Sequence, residues 1–525
     1  MYPAIASIPN VCNQNLVLQS SRDRPHAATF IGRSIGKFLA FIGGMSFSAT
    51  APVRDSLAFV QAISVAHEHG VFLGESRNEF VFAPAQHGVL VLGPPRAGKT
   101  TSIVLPNLFC ANGSVLAIST KPDLLDTTVE ARSRLGPVLL FDPSGSVKRD
   151  GVVAVGWSPL SSAMLWDQAV LTAEAMVGAT HRNATGDQGH WSERAGALLA
   201  TLFHAGAVMD LEMADIVKAI NRRRASEFIA ELGRAASYLA HDLLVGITET
   251  DSREQSGIWS TASGVLSAYR TESALASTTL NPFDADAFVR NRQTLYICAT
   301  GDTQTHVGPL IVGLIRDLRS AAYRYAAHRS MNSDNHSSRA RPPVLLILDE
   351  LANIAPIHDL PTLIAEGGSQ GLVAIACLQD LSQARARWGV AADGFFSLFG
   401  AKVVLPGIGD TRTLEAISLL AGDVDVTTRS VSKGPRHRLL GARQTESVSS
   451  RRQRRLPPDA VAIPRSGQAV LLLGAKVSAI TLTPAFESPL FATLLSRTSP
   501  ETNLDITAVD VGHHGPPASE ALERA

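Results

Sequence analysis

The sequence predicts an α/β fold with a central, mostly parallel sheet that is interrupted by an all-helical insertion. Apolar runs bounded by turns recur on both sides of the middle of the chain, whereas residues from about 161 to 275 have helical spacing and few strand formers. A glycine-rich loop also follows one of the early apolar runs. With 525 residues and 45% hydrophobic content, the chain can bury a large core.

The predicted strands fall into two groups. Between Val71 and Asp142, strands alternate with turns and then with helical stretches, an order that is typical of βαβ units and implies a parallel sheet. Strands are predicted at Phe80–Ala83, Gly88–Leu92, Val115–Ser119 and Val138–Phe141, and again at Thr294–Thr300, Val344–Leu348, Leu372–Leu378, Lys402–Leu405 and Ala469–Leu473. The helical spacing of the insertion is clearest in Trp191–Asp210, Met213–Leu232 and Gly257–Thr271.

The loop after the second predicted strand has the composition of a phosphate-binding loop. Glycines allow backbone N–H groups to turn toward a phosphate, a lysine supplies a point charge to the β- and γ-phosphate oxygens, and a threonine hydroxyl can ligate Mg²⁺. An ordinary Gly/Pro loop is the alternative, but the flanking strand and helix favour nucleotide binding. The candidate residues are Gly93, Pro94, Pro95, Arg96, Ala97, Gly98, Lys99, Thr100 and Thr101.

Two acids follow the buried run Val344–Leu348, in a Walker B pattern. Asp349 at the end of such a strand can hold the Mg²⁺ shell, and Glu350 can orient or deprotonate an attacking water. Many strands end in solvated acids, so this interpretation depends on the upstream loop. Together the two motifs predict an ATPase that uses ATP and Mg²⁺.

Charge and cysteine content exclude some classes of protein. Lys plus Arg and Asp plus Glu both total 47, so the chain carries no excess charge that would by itself imply nucleic-acid or membrane binding. Its four scattered cysteines, Cys12, Cys110, Cys298 and Cys377, are expected to be core thiols rather than a disulfide or zinc framework.

One local patch is strongly basic. The stretch from Thr427 to Arg455 contains eight arginines and one lysine against the single acid Glu446. Its charge alone is compatible with a phosphate-gripping surface and with a solvated flexible loop.

The order of the motifs resembles that of the type IV secretion coupling proteins, the TraG/TraD-type conjugative DNA-transfer ATPases. The resemblance extends from about Val71 to Leu473, and its most specific parts are the DE-x-AN run and a later Q-x-x-SQ run. The residues that carry it are Gly93–Leu108, Ser119–Asp123, Phe141–Pro143, Trp157–Leu160, Leu348–Ile354, Glu366–Gly371 and Cys377–Gln383.

The resemblance implies a RecA-like P-loop NTPase with an inserted all-α domain, assembled as a homo-hexamer. Members hydrolyse ATP while they deliver single-stranded DNA, with a relaxase or other attached protein, to a type IV secretion channel at the inner membrane. On this sequence, Lys99 and Thr100 would bind phosphate and Mg²⁺, Asp349 would support Mg²⁺, Glu350 would activate water, and Gln379 would sense the γ-phosphate. A strand-end amide that caps the following helix is the structural alternative for Gln379.

Two departures from the family pattern are visible. Members usually carry two N-terminal membrane-spanning helices, whereas no window here reaches about 18 consecutive apolar residues, and the best candidate is the short run Phe38–Phe47. The chain is therefore expected to be cytoplasmic and to reach the membrane through partners. Members also often have an arginine where this sequence reads Gly367-Gly368-Ser369, which leaves Arg412 as a substitute for the arginine donated between subunits, or as a surface helix residue.

The sequence predicts four parts. Residues 1–70 form a segment of unknown role, residues 71–160 and 276–495 form the nucleotide-binding motor domain, residues 161–275 form the helical insertion, and residues 496–525, with a histidine pair at 513 and 514, form a disordered tail. An FtsK-type DNA translocase and a protein-substrate adaptor without DNA pumping are the alternative functions.

Overall fold

The computed structural model describes residues 56–77, 79–180, 187–299, 304–331, 342–354, 357–433, 444–463 and 467–495. All of them belong to one compact unit that begins at Ser56. The predictions for Cys12, for the apolar run Phe38–Phe47 and for the C-terminal tail with its histidine pair lie outside the described residues.

A twelve-stranded sheet forms the centre of this unit, and a separate two-stranded ribbon stands beside it. Strand order across the sheet is β2-β1-β14-β13-β10-β3-β9-β8-β4-β7-β5-β6, and the ribbon pairs β11 with β12. The strands are β1 Phe72–Ser76, β2 Glu79–Phe82, β3 Val89–Leu92, β4 Val115–Ser119, β5 Val138–Phe141, β6 Val153–Ala154, β7 Thr294–Cys298, β8 Val344–Leu348, β9 Leu372–Leu378, β10 Ala401–Val404, β11 Asp423–Lys433, β12 Gln444–Arg454, β13 Gln468–Leu473 and β14 Lys476–Thr481.

The sheet is mostly parallel, as the sequence predicts. From β10 to β6 every neighbouring pair is parallel, whereas β13, β14, β1 and β2 extend the other end in antiparallel pairs. The strands β3, β4, β5, β7, β8, β9 and β10 are buried along their whole length, which explains why each is a nearly continuous apolar run in the sequence.

Helices cover both faces of the sheet, and side chains of the strands alternate between the two layers. Leu90 and Leu92 belong to the cluster that includes the helices of the 166–265 region, whereas Val89 and Val91 belong to the cluster with Leu108 and other residues of the flanking helices. The described α-helices are Ser56–Ala66, Leu105–Cys110, Asp123–Ser133, Trp166–Thr180, Asp187–Val208, Met213–Arg222, Ser226–Arg234, Tyr238–Thr248, Ser252–Val265, Glu272–Ala276, Ala285–Arg290, Gln304–Met331, Leu351–Ile354, Leu360–Gly367, Leu381–Trp388, Phe395–Leu398, Thr411–Ala421, Pro458–Ala462 and Pro489–Leu495.

Two predictions about elements were wrong. The strand predicted at Phe80–Ala83 is not part of a parallel βαβ unit, because β2 pairs with β1 in an antiparallel hairpin. The helical segment predicted at Met213–Leu232 is two helices, separated where Arg223 adopts a left-handed conformation with φ of 52°. For the basic stretch the sequence left a phosphate-gripping surface and a flexible loop open, and over its described residues the structure shows a ribbon, in which β11 and β12 pair along eleven residues each.

The prediction for three of the cysteines was confirmed. Cys110, Cys298 and Cys377 are free thiols in the buried core. None of the described helices is both long and apolar enough to cross a bilayer.

Candidate nucleotide-binding site

The glycine-rich loop connects the carboxyl end of β3 to a turn of π-helix at Thr100–Val104, which continues into the helix Leu105–Cys110. Gly93 packs against Leu405, the residue that follows β10. A Cβ added to Gly93 would lie 2.8 Å from the Leu405 Cβ. The Gly93 N–H donates to the carbonyl oxygen of Leu378, the last residue of the neighbouring strand β9, at 3.2 Å. The start of the loop is therefore fixed between two neighbouring strands.

The loop turns through two left-handed residues, Arg96 with φ of 63° and Gly98 with φ of 96°. Alternation of left-handed and right-handed residues directs successive N–H groups into one concavity, which is a binding site for anions. Lys99, the next residue, donates from Nζ to the carbonyl oxygens of Gly93 at 2.6 Å and Pro94 at 3.0 Å. Its ammonium group thus lies at the loop itself, where it can exchange these carbonyls for phosphate oxygens.

The loop meets the acids of the second motif directly. Thr100 donates from its hydroxyl to Asp349 Oδ2 at 3.0 Å, and Oδ1 lies 3.3 Å away, although 249 positions separate the two residues. The contact forms because β3 and β8 are separated only by β9, so their carboxyl ends lie at the same edge of the sheet. A hydroxyl and a carboxylate are hard oxygen ligands of the kind that Mg²⁺ prefers, so the donor set fits this ion.

Burial raises the pKa of the Asp349 carboxyl, and the neighbouring Glu350 carboxylate raises it further. The Thr100 hydroxyl and the Lys99 ammonium group act in the opposite direction, but the pKa stays above its ordinary value. A cation held between Thr100 and Asp349 would favour the carboxylate form and remove this cost.

Cys377 is a neighbour of the site that the sequence did not reveal. It lies on β9, whose residue Ala376 is paired with Leu348, so Cys377 is the cross-strand neighbour of Asp349. Burial raises the pKa of this thiol well above its usual range, and the nearby Asp349 carboxylate raises it further, so the thiol stays protonated. No local pattern around Cys377 could have indicated this contact, because it depends on the order of the strands.

Gln379 follows β9 directly and is half-buried at the same edge of the sheet. Its backbone N–H donates to the Gln383 side chain at 2.9 Å. The side chain that caps the next helix, Leu381–Trp388, is that of Asp380, which accepts from the N–H of Ser382 at 2.8 Å. The cap thus does not require the Gln379 amide.

Arg412 is exposed in the first turn of the helix Thr411–Ala421. The loop that precedes this helix follows β10 and reaches the phosphate loop, since a Cβ on Gly407 would lie 3.2 Å from the Pro94 Cγ. Arg412 therefore lies at the same edge of the sheet as the site, and its side chain is exposed on the surface of the protein.

A strand–loop–helix with an anion-binding concavity, next to a hydroxyl and a carboxylate at the sheet edge, defines a RecA-like P-loop nucleotide-binding protein with a helical insertion. The family model described as type IV secretory system conjugative DNA transfer matches residues 52–483. The chain belongs to this family, and the resemblance to the coupling proteins is thereby confirmed.

Individual relatives agree with this assignment. The chain is 25% identical over 373 residues to the VirD4 proteins of Agrobacterium fabrum and of Rhizobium rhizogenes, an alignment that covers 65% of this chain and 50% of each of those proteins. The chain thus spans about half the length of these curated relatives.

Solved structures of the plasmid coupling protein TrwB share the fold. The unbound monoclinic form of TrwBdeltaN70 has a TM-score of 0.60 at 17% identity, with 80% of this chain and 90% of that chain covered. TrwB with the non-hydrolysable GTP analogue GDPNP gives a TM-score of 0.57 at 17% identity, with 78% and 90% covered. TrwB with ADP and Mg²⁺ gives 0.55 at 18% identity, with 78% and 88% covered.

Proposed function

We propose that this protein binds and hydrolyses ATP with Mg²⁺, and that hydrolysis drives DNA with attached protein into a type IV secretion channel. The observation that carries the proposal is the hydrogen bond between the Thr100 hydroxyl and Asp349. It joins the phosphate loop to the acidic strand end, and these are the two parts that phosphoryl-transfer sites of this class need side by side. The TrwB structures with ADP and Mg²⁺ and with an ATP analogue support the choice of ligand.

Each residue has a defined task in this proposal. Backbone N–H groups of residues 93–101 surround the β-phosphate, and Lys99 turns from the Gly93 and Pro94 carbonyls to the β- and γ-phosphate oxygens. Thr100 and Asp349 would hold Mg²⁺, which would supply positive charge to offset that of the phosphates. Glu350 accepts a proton from the attacking water, and Gln379 hydrogen-bonds the water or the γ-phosphate.

The remaining parts of the proposal concern assembly and cargo. Family membership supports a homo-hexameric ring that acts on single-stranded DNA, with a relaxase or another secreted protein as the attached cargo. Residues 71–160 and 276–495 serve as the motor and residues 161–275 as the helical insertion. The ribbon of β11 and β12 is exposed at residues 424–431 and 446–454 and supplies arginines for the DNA phosphates. Its two strands contain no aromatic residues that could stack on bases.

The test combines hydrolysis with binding. We expect the purified protein to hydrolyse ATP faster with single-stranded DNA, and Lys99→Ala to abolish turnover. Glu350→Gln should retain binding of a fluorescent ATP analogue and lose turnover by a factor on the order of 10²–10⁴, as for removal of a general base. Glu249→Gln, which removes an exposed carboxylate in the helical insertion, is the matched control and should behave as wild type.

The outcomes separate the alternatives. Hydrolysis that is indifferent to DNA would favour a protein cargo, and preferential stimulation by duplex DNA would favour an FtsK-type translocase. Absence of hydrolysis in concentrated protein, together with normal transfer by Glu350→Gln in cells, would replace the motor by an adaptor.

A further inference from the structure

Arg96, in the middle of the phosphate loop, has a backbone conformation that is unfavourable for its residue type. Its φ of 63° lies in the left-handed region, where a Cβ approaches the carbonyl oxygen and where glycine is free of this cost. The only other left-handed residue between 93 and 100 is Gly98, which meets the same demand without a side chain.

The anion-binding concavity explains the conformation but not the arginine. Glycine at position 96 would present the same N–H groups to a phosphate and would adopt the left-handed region without strain. The concavity itself thus needs no side chain at this position, and a functional contribution of the arginine would come from its guanidinium group.

The side chain of Arg96 is available for such a contact. It is exposed, and among the residues that the structure describes it makes neither an ion pair nor a hydrogen bond. Lys99, by contrast, is held against the Gly93 and Pro94 carbonyls of the same loop. The loop thus carries two cationic side chains. Of these, Lys99 is hydrogen-bonded within the loop, and Arg96 has no hydrogen-bond or ion-pair partner among the described residues.

We propose that the guanidinium group of Arg96 binds the α- and β-phosphates of the nucleotide held by its own loop. The inference rests on the proposed ATPase function and adds a binding residue to it. Guanidinium groups make paired, charge-assisted hydrogen bonds to phosphate oxygens, and the loop backbone places residue 96 beside the α- and β-phosphates. Because ADP and ATP share these groups, the contact should strengthen the binding of both.

The experiment uses three substitutions that separate charge from strain. Arg96→Gln removes the charge and keeps a side chain in the left-handed region, Arg96→Gly removes both charge and strain, and Arg96→Lys keeps the charge without the planar fork. Arg234→Gln, at a side chain that is 73% exposed in the helical insertion, is the charge-matched control. Affinities for ADP and for a non-hydrolysable ATP analogue are measured by calorimetry at two salt concentrations, with thermal unfolding of each variant alongside.

We expect Arg96→Gln and Arg96→Gly to bind both nucleotides about tenfold more weakly or worse, as for loss of a charge-assisted hydrogen bond. Arg96→Lys should lie between them and wild type. Arg96→Gly should unfold at a temperature no lower than wild type, because strain is relieved, so that its weaker binding cannot be ascribed to a damaged loop.

Unchanged or tighter nucleotide binding by Arg96→Gly would overturn the inference, since it would mean that the arginine is only tolerated. A loss of turnover with unchanged affinity would also overturn it, because the residue would then act on the transferred phosphoryl group or on a neighbouring subunit. If wild type itself binds neither nucleotide, the proposed function fails first, and this result is distinct from both.

Discussion

Arg132 is a guanidinium group that is fully buried without a carboxylate partner among the described residues. It donates from Nε to the Thr294 hydroxyl at 2.7 Å, and its terminal nitrogens donate to the carbonyl oxygens of Leu108, Ala111 and Gly113. Burial lowers the pKa of this arginine to about 10, so it stays charged at neutral pH. The Arg132 side chain thus supplies donors to backbone carbonyl groups at and just after the end of the helix Leu105–Cys110. Its bond to Thr294 links this helix end to β7.

We predict that Arg132→Met lowers the free energy of unfolding by at least about 3 kcal/mol, because several buried acceptors lose their donors at roughly 1–3 kcal/mol each. Chemical denaturation of purified protein measures this change. Arg134→Met is the control two residues away. It removes an exposed arginine whose ion pair with Glu130 should contribute less than about 1 kcal/mol. Equal losses in the two variants would show that the buried network is not the cause.

At the scale of elements, Trp157 connects the segment just before the helical insertion to the long helix Gln304–Met331. Its indole Nε1 donates to Asp317 Oδ2 at 2.8 Å, and the Ser162 hydroxyl donates to Oδ1 at the same distance. The indole ring lies against Gly313, where an added Cβ would come within 2.2 Å of the ring. Trp157 belongs to the Trp-Ser-Pro-Leu run that carried part of the family resemblance, and the structure explains it as a packing and hydrogen-bonding anchor.

The position of Trp157 predicts that Gly313→Ala lowers the free energy of unfolding, the opposite of the usual effect of this change in a helix. In a helix interior this change ordinarily stabilises by about 1 kcal/mol, but here overpacking against the indole should cost about 1–3 kcal/mol and dominate. Gly246→Ala is the matched control, because Gly246 lies in the helix Tyr238–Thr248 with no atom within 4 Å of an added Cβ, and it should raise the unfolding temperature. A stabilised Gly313→Ala variant would contradict the packing described here.

The ribbon of β11 and β12 carries most of its charge on one face. Cross-strand register places Asp423 opposite Arg454 and Asp425 opposite Arg452, and ion pairs of 3.3–3.5 Å join Asp423 to Arg452 and Arg454. Such pairs support a two-stranded ribbon, which on its own is marginally stable in water. Arg451, on the other face, makes no ion pair with any described residue.

We expect Arg429→Gln combined with Arg451→Gln to weaken DNA binding and to make its dependence on salt less steep, because fewer counterions are released. Both arginines are exposed, and neither forms the ion pairs with Asp423 that hold the base of the ribbon. Fluorescence anisotropy with single-stranded DNA at several salt concentrations measures the slope. Arg222→Gln with Arg224→Gln, exposed in the helical insertion, is the charge-matched pair. An equal effect of the two pairs would show that the ribbon has no special role.

At the scale of the whole molecule, the proposed ring gives Arg412 a task that one chain cannot show. Arg412 is exposed beside the loop that packs on Pro94, and an arginine donated across a subunit interface stabilises charge on the transferred phosphoryl group in related chemistry. If Arg412 acts in this way, Arg412→Ala should bind ATP normally and hydrolyse it at least about 10³-fold more slowly.

Mixing inactive variants tests the assignment of Arg412. When Arg412→Ala and Glu350→Gln chains assemble together, some interfaces combine an intact Glu350 with an intact Arg412 from the other variant, and hydrolysis should partly return. Recovery on mixing, with neither variant active alone, is the expected result of the ATPase assay. If mixing restores nothing, Arg412 is a surface helix residue and the donated arginine lies elsewhere.

The sequence alone determined the buried strands, the phosphate loop and the pair of acids. Strands buried on both faces are continuous apolar runs, and a phosphate loop requires glycines and a lysine at fixed spacing, so both leave a local signature. The apolar run predicts Val344–Leu348 with the bounds that the structure has, and the acid that follows it, Asp349, contacts Thr100 of the loop.

Only the tertiary structure decided what depends on pairing between distant segments. The strand order that places β9 between β3 and β8 brings Thr100, Asp349 and Cys377 together, and no local pattern encodes that order. The ribbon was missed because a strand pair exposed on both faces has no buried side, and its serines, threonines and arginines therefore resemble a loop. Burial leaves a mark on the local sequence, whereas strand order and exposed pairing depend on contacts that form only when the whole chain folds.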